Sequence, residues 1–444
     1  MNIFPESIQA GLKNMGIVSL NSLQEQCLEA FKKEDEIVLL SPTGSGKTLA
    51  YLLPVLQKIN PDYTNKIQVL ILAPSRELAL QIEQVVKSLR SGYKTSCFYG
   101  GHEMRFEKQS LTQAPHILIG TPGRIADHFR RETIQGKNIE MLVIDEFDKS
   151  LEIGFKDELE YIRRQLPGLK KKILTSATAM DEIPDYILDQ KPYFIHHKME
   201  EEQHERRRVF LVEGSASKEV LLHKLLKVLG NEPSLVFCNF KETVGEIERF
   251  LRKQGIESVS FHGGLEQKDR EKNLVQFRNR SVSVLVSTDL AARGLDIPEI
   301  KHVIHLQLPV HEAEFTHRNG RTARMHKEGS VYIIKGKDYF GKDYLPRTAE
   351  KFDLEKQSKG NSQVPDTEFV TLFINKGKKD KLRKMDIVGY AIQTGGLEKD
   401  ELGLIEVKDA FSYLAVKKSK ADQLIQKSHV SKLKNMSVQM GYLK

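Results

Sequence analysis

The run IVLLSPTGSGKTLAYLLPVLQK, residues 37–58, decides the fold. Its first four residues are apolar without a break, as in a strand buried on both faces. The turn SPTGSGKT (41–48) follows at once, and LAYLLPVLQK has the length and spacing of a helix. Strand, glycine loop and helix in that order can cradle phosphates. Gly44 and Gly46 permit close backbone approach, the helix N-terminus favours anions, Lys47 meets the β and γ phosphates, and Thr48 can hold Mg²⁺. Pro42, Thr43 and Ser45 complete the loop. Taken alone, an ordinary glycine-rich turn is the competing reading.

Similar apolar runs follow at VLILA (69–73), ILIG (117–120), MLVID (141–145) and KILTSA (172–177), with amphipathic segments between them. Buried strands alternating with helices imply βαβ units and a parallel sheet covered on both faces. After the charged stretch MEEEQHERRR (199–208) a second series begins: VFLV (209–212), SLVFCN (234–239), VSVLVSTD (282–289), HVIHL (302–306) and SVYII (330–334). Two α/β halves, 1–198 and 209–345, are expected. The polar, proline-bearing stretch KDYLPRTAEKFDLEKQSKGNSQVPDTEF reads as a linker, placed at 346–367. A third, small unit occupies 368–444, with fifteen basic against nine acidic residues, which is most of the net +8 of the whole chain.

The 444 residues suit two or three domains, and 39% apolar with 29% charged residues is the composition of a folded protein. A modest basic excess is compatible with a polyanionic partner but does not require one. Cys27, Cys97 and Cys238 lie far apart in or beside apolar segments, which argues against a disulfide framework or a zinc site and for a reducing cytoplasm. The start MNIFPESIQ lacks a secretory pattern, and no apolar run approaches the roughly 18 residues a membrane span needs.

The strand MLVID ends in acids, Asp145 and Glu146, with Phe147 and Asp148 following. Ligands of open parallel sheets gather at such strand ends. One carboxylate can hold a Mg²⁺ shell while the next orients or deprotonates the attacking water. In isolation an acidic turn is the commoner explanation; the phosphate loop upstream reverses that. In the second half, HRNGRTAR (317–324) spaces Arg318, Arg321 and Arg324 three apart, on one face if the segment is helical. Arginines aimed at a γ-phosphate stabilise transition-state charge, worth on the order of 10³ to 10⁵ in rate. A surface salt-bridge ladder is the alternative.

At this point the chain resembles the DEAD-box RNA helicases, superfamily 2 motors with two RecA-like domains. The resemblance covers roughly residues 4 to 340 and rests on short motifs in the family's order. GIVSLNSLQ (16–24) is similar to the Q motif, with Gln24 as adenine reader and Phe4 as the upstream stacking aromatic. SPTGSGKT resembles motif I, PSREL (74–78) motif Ia, Gly100 and Gly101 the GG doublet, TPGR (121–124) motif Ib, DEFD (145–148) motif II and SAT (176–178) motif III. VFCN (236–239), QKDR (267–270), STDLAARGLD (287–296) and HRNGRTAR resemble motif IV, the QxxR element, motif V and motif VI.

The resemblance implies an α/β fold of two tandem RecA-like parallel-sheet domains. It implies ATP and Mg²⁺ as cofactors, with Thr48 and Asp145 on the metal, and Lys47, Asp145, Glu146, Arg321 and Arg324 as catalytic residues. Asp296 and Arg321 would touch nucleotide. Arg76, Gly101, Thr121, Arg124, Gly263 and Thr288 would face RNA, where hydroxyls, amides and arginines suit phosphate and 2′-OH contacts that carry no base information. Asp148, Ser176 and Thr178 would couple the two ligands. Departures are Ser41 for the usual Ala, Leu20 and Ser22 at proline positions, Ile17 for Phe, Ala323 for Gly, the short distance from Phe4 to the Q motif, and Phe147.

Residues 368–444 resemble the small RNA-binding domain that follows the helicase core in DbpA-type bacterial proteins, an α+β fold of RRM type. Phe373, Phe411 and Tyr413 lie where sheet aromatics could stack bases, and a core role is equally open. Lys376, Lys378, Lys379, Lys381, Arg383 and Lys384 form a basic loop suited to RNA phosphates. In that family the domain recognises a structured element of large-subunit ribosomal RNA. The function so implied is a monomeric cytoplasmic ATP-dependent RNA helicase in large-subunit maturation. An ATP-gated RNA clamp, with Phe147 impairing turnover, and a DNA helicase are the other readings.

Overall fold

The computed structural model describes residues 3–42, 44–101, 104–177, 183–197, 207–289, 300–322, 328–336, 342–358 and 364–443. The chain divides into two compact units, the first ending near residue 204. Thr43, Thr178, Asp296, Ala323 and Arg324 lie outside the described residues.

The first unit is built on β1 (Glu36–Leu40), β2 (Val69–Leu72), β3 (Thr95–Phe98), β4 (Ile117–Gly120), β5 (Met141–Ile144), β6 (Lys171–Ser176) and β7 (Tyr193–His196). They pair in parallel in the order β3-β4-β2-β5-β6-β1-β7. Period-2 alternation sends Ile37 and Leu39 into one core and Val38 into the other, so both faces are buried. The strands β3 and β7 were not among the expected runs. Both are edge strands, and β3 mixes polar with apolar residues while Tyr193 and Phe194 of β7 are exposed.

The second unit opens with β8 (Arg207–Glu213), β9 (Ser234–Phe237), β10 (Ser258–Phe261), β11 (Val284–Ser287), β12 (His302–His305), β13 (Gly329–Lys335) and β14 (Glu350–Phe352), again parallel, in the order β10-β11-β9-β12-β13-β8-β14. The stretch expected as linker, 346–367, is therefore corrected in part. Its Glu350–Phe352 pairs with β8, and the helix Leu354–Ser358 packs on the helix Lys218–Leu229. Phe352 and Leu354 are the apolar pair that anchors it: the Phe352 ring lies 5.5 Å from Phe210, and Leu354 is buried.

Two histidines of β12 are buried neutral. Burial, with Arg318 adding to it, pushes His305 down to about 3, and burial, then Lys301, takes His302 to about 4. The unfolded chain takes up these protons near pH 6.5 and the folded chain does not, so stability falls as pH drops below that value. The expected loss is roughly 1 kcal/mol per histidine per pH unit between about 6 and 5. Thermal midpoints at pH 7, 6 and 5 check it; a His302→Gln variant should show a shallower fall.

The same unit ends in an antiparallel sheet of β15 (Phe369–Ile374), β16 (Leu402–Val407), β17 (Ser412–Lys417) and β20 (Met440–Tyr442), ordered β16-β17-β15-β20. A hairpin of β18 (Lys432–Leu433) and β19 (Met436–Ser437) precedes β20. Leu372, Ile374, Leu414 and Val416 form one core with the helices Lys384–Gln393 and Lys418–Val430. The opposite face carries Thr371, Phe373 and Tyr413. Among the described residues no helix is long and apolar enough to cross a membrane.

Candidate active site and RNA-facing surface

The strand order of the first sheet sorts its C-terminal rim into two halves. The C-terminal ends of β5, β6 and β1 and the loops after them carry Asp145–Asp148, Ser176 and the phosphate loop. Those after β3, β4 and β2 carry Gly101, Thr121 and Arg76.

In the phosphate loop, Gly46 has φ +87 and caps the helix Lys47–Lys58. A Cβ there would fall 2.7 Å from Gln24 Nε2, so the position demands glycine for space as well as for backbone conformation. Gln24 closes a capping box with Asn21, its Oε1 accepting from the Asn21 amide at 3.0 Å. Asn21 Nδ2 in turn donates to the Ser45 carbonyl at 2.9 Å. The Q-motif helix thus rests directly on the loop, an arrangement whose sequence signal is the N-x-x-Q spacing and which the motif reading left unused. Lys47 Nζ donates to the Ser41 carbonyl and to Pro42 O at 3.0 Å, inside its own loop. Gly44 also belongs to this turn.

Phe4, expected to stack on adenine, is not at this rim. It is 3% exposed and packs in the core with Ile8, Leu12 and Leu23. The first helix starts at Glu6, and Gln9 on it donates through Nε2 to the Phe4 carbonyl at 2.7 Å, holding the segment against the helix.

Asp145 is nearly buried. Its Oδ1 accepts from Thr175 Oγ1 at 2.5 Å and its Oδ2 from Tyr51 OH at 3.0 Å. Thr175 is placed by register, since Ile144 pairs with Leu174; its hydroxyl also accepts from the Glu146 amide at 3.0 Å. Burial, then the Asp145 charge, pushes the Tyr51 phenol well above its usual value, which keeps it a neutral donor. Sequence reading passed over both Thr175 and Tyr51, because neither belongs to a motif. Glu146 has φ +47, uncommon for a residue with a side chain, and caps the helix Phe147–Glu152. That turn sends Phe147 inward, 0% exposed, into the core with Ile144, Leu159 and Leu174. Asp148 is buried and accepts from the Lys149 amide at 3.0 Å; Ser176 is buried at the end of β6, its carbonyl accepting from the Ser41 amide.

On the other half of the rim, Arg76 opens the helix Arg76–Ser88, capped by Ser75. The glycine doublet wraps its guanidinium: a Cβ at Gly101, where φ is +97, would lie 2.7 Å from Arg76 Nη1. Thr121 caps the helix Pro122–Arg130, and Arg124 Nε donates to Glu107 Oε2 at 2.7 Å. Glu107 also bonds His128 Nε2 at 2.8 Å. Glu107 carried no motif signal.

In the second unit, Gly263 O accepts from Arg270 at 2.8 Å, and Thr288 follows β11, its amide bonding the Phe261 carbonyl at 3.3 Å. Arg318 and Arg321, expected on one helical face, do not share one. The helix Glu312–Asn319 stops before Arg321, which lies in the turn after it, its amide on the Arg318 carbonyl. Arg318 turns inward and is 1% exposed. It donates to Asp289 through Nε at 2.6 Å and through Nη2, to Gln307 O at 2.6 Å and to Asn239 Oδ1 at 2.8 Å, over the Phe237 ring. Arg321 is also buried.

The C-terminal sheet rests its non-helical face on the helix Gln267–Arg278 and the turn after it. Ser281 Oγ and Thr371 Oγ1 are 2.6 Å apart, Asn279 Nδ2 donates to Thr371 at 3.2 Å, and Arg278 faces Glu406 at 3.7 Å. Tyr413 is 5% exposed; burial, then Glu271, takes its phenol to about 12. Phe373 and Phe411 stay half-buried, their rings 5.6 Å apart. Of the three candidate stacking aromatics, Tyr413 is thereby packed away. Lys378, Lys379, Lys381, Arg383 and Lys384 are exposed along a different edge, where Lys434 of the hairpin joins them by bonding Lys381 O at 3.0 Å.

Two parallel seven-stranded sheets with these loops at their rims define a helicase core, and family matches agree. Residues 21–186 match the DEAD/DEAH box helicase family, 217–326 the helicase conserved C-terminal domain, and 371–441 the DbpA RNA binding domain. The ATP-dependent RNA helicase DbpA of Escherichia coli (strain K12) is 31% identical, over 100% of this chain and 99% of that protein. Its namesake in Bacillus subtilis (strain 168) is 30% identical, over 98% and 96%. Among solved structures, Mss116p bound to ssRNA and AMP-PNP matches with a TM-score of 0.69 at 26% identity, covering 81% of this chain and 80% of that one. The chain belongs to the DEAD-box ATP-dependent RNA helicases, in their DbpA branch.

Proposed function

We propose that the protein couples ATP binding and hydrolysis to RNA binding and local duplex opening, and that its target is a structured element of large-subunit ribosomal RNA. The observation that carries the reading is the division of one sheet rim into adjacent halves, phosphate loop and acids on one, Arg76, Gly101 and Thr121 on the other. Lys47 and the loop amides receive the ATP phosphates, and Gln24 the adenine. Thr48 and Asp145 hold Mg²⁺, which neutralises β and γ charge when bound. The residues fit that ion: the Thr48 hydroxyl and the Asp145 carboxylate are hard oxygen donors, and Mg²⁺ takes one or two carboxylates with phosphates and waters completing its shell.

Glu146 orients the attacking water, and Arg321 with Arg324 meets the γ-phosphate. Arg124, Gly263 and Thr288 extend the RNA surface. Asp148 with Ser176 and Thr178 links it to the acids, and Asp296 touches nucleotide. The protein acts as a cytoplasmic monomer. Lys378, Lys379, Lys381 and Arg383 grip the ribosomal element through phosphates.

ATPase activity with ribosomal RNA fragments against random RNA tests the whole. Ribosomal fragments should stimulate more strongly. Replacing Lys378, Lys379, Lys381 and Arg383 by Ala should abolish the preference and flatten the logarithmic salt slope of binding by about 0.7 for each phosphate no longer neutralised. Equal stimulation by all RNAs would remove the ribosomal target, and no stimulation by any would remove the helicase reading.

A further inference from the structure

Thr48 and Tyr51 stand three apart on the helix after the phosphate loop, hence on one face. The Tyr51 ring is fully buried, and its hydroxyl donates to Asp145 Oδ2 at 3.0 Å. The helix that carries Thr48 thus also supplies, one turn on, the donor that holds Asp145, the other residue read above as the Mg²⁺ side of the site. The other carboxylate oxygen, Oδ1, is held by Thr175 Oγ1 and by the Glu146 amide at 3.1 Å. With donors on both oxygens the carboxylate cannot rotate, and the lone pair left on Oδ2 has one direction. Asp145 is 3% exposed, so water is a poor substitute for a missing donor.

We propose that Tyr51 is a positioning residue for Mg²⁺: its hydroxyl aims the Asp145 carboxylate before nucleotide arrives. This rests on the reading of Thr48 and Asp145 as the Mg²⁺ residues. Phenylalanine would fill the same space and remove only the hydroxyl. The change would leave Asp145 short of a donor, while the phosphate loop itself would keep its packing.

The test is equilibrium binding of fluorescent ADP to the full chain and to Tyr51→Phe, in EDTA and across a Mg²⁺ titration. Affinity in EDTA should be unchanged. The gain in affinity on adding Mg²⁺ should shrink roughly 10-fold, the order expected for one hydrogen bond to a charged group, with the half-saturating Mg²⁺ concentration rising to match. An undiminished gain in Tyr51→Phe overturns the role of Tyr51 and leaves the Mg²⁺ reading standing. An equal loss of affinity in EDTA makes Tyr51 a packing residue and overturns it as well. If the wild-type chain gains nothing from Mg²⁺, and Asp145→Asn binds as wild type does, the reading of the metal site fails and the inference goes with it.

Discussion

Glu146→Gln is expected to slow ATP hydrolysis by roughly 10²- to 10⁴-fold, the span of general acid–base contributions, while ATP and RNA still bind. Glutamine keeps the length and shape of the side chain, so the left-handed turn at φ +47 and the amide bond to Thr175 should survive. What disappears is a carboxylate able to orient or deprotonate water. Single-turnover hydrolysis beside equilibrium RNA binding in the presence of ATP checks this. The RNA complex should become long-lived, because release follows hydrolysis. A variant that kept its turnover would move the water-activating role to another residue.

One position further on, Phe147→Ala should cost about 3–5 kcal/mol of stability in the first unit, the usual penalty for removing a buried ring. Phe147 is 0% exposed among Ile144, Leu159 and Leu174, so alanine leaves a cavity that strands β5 and β6 cannot close. For a unit of this size that amounts to a thermal midpoint lower by roughly 6–20 °C. Phe147→Leu should lose less than about 1.5 kcal/mol. Assayed well below the midpoint, ATPase of both variants should change only modestly, since the ring points away from the acids. A large gain in turnover for the alanine variant would instead favour the ATP-gated clamp.

Much of the architecture was legible because its strands are buried on both faces. Runs such as VLIL and ILIG carry no polar break over the length of a strand. The edges were not legible. TSCF and YFIH face solvent on one side, and Glu350–Phe352 hides in a polar stretch with only Phe352 and Leu354 to betray it. In the candidate site, the residues that spacing singled out, such as Lys47, Asp145 and Arg124, belong to linear motifs. The groups that hold them do not: Tyr51, Thr175 and Glu107 meet their partners through sheet register or helix packing, which spacing does not encode. Phe4 and Arg318 show the reverse error. Each matched an expected role by type and position, and each is turned inward, Phe4 to fill a core and Arg318 to satisfy Asp289.

The helix Gln267–Arg278 has Arg270 on Gly263 near one end, and Arg278 and Asn279 on the C-terminal sheet at the other. Twelve residues of helix are a rod about 18 Å long. The tail is therefore less a tethered hand than a bracket bolted to the frame, and an RNA held by its basic edge has a set rotational phase relative to the Gly263 turn. Moving residues 364–443 to another core would carry the basic edge but lose the angle at which it is presented, unless the surface from Glu271 to Ser281 travelled too.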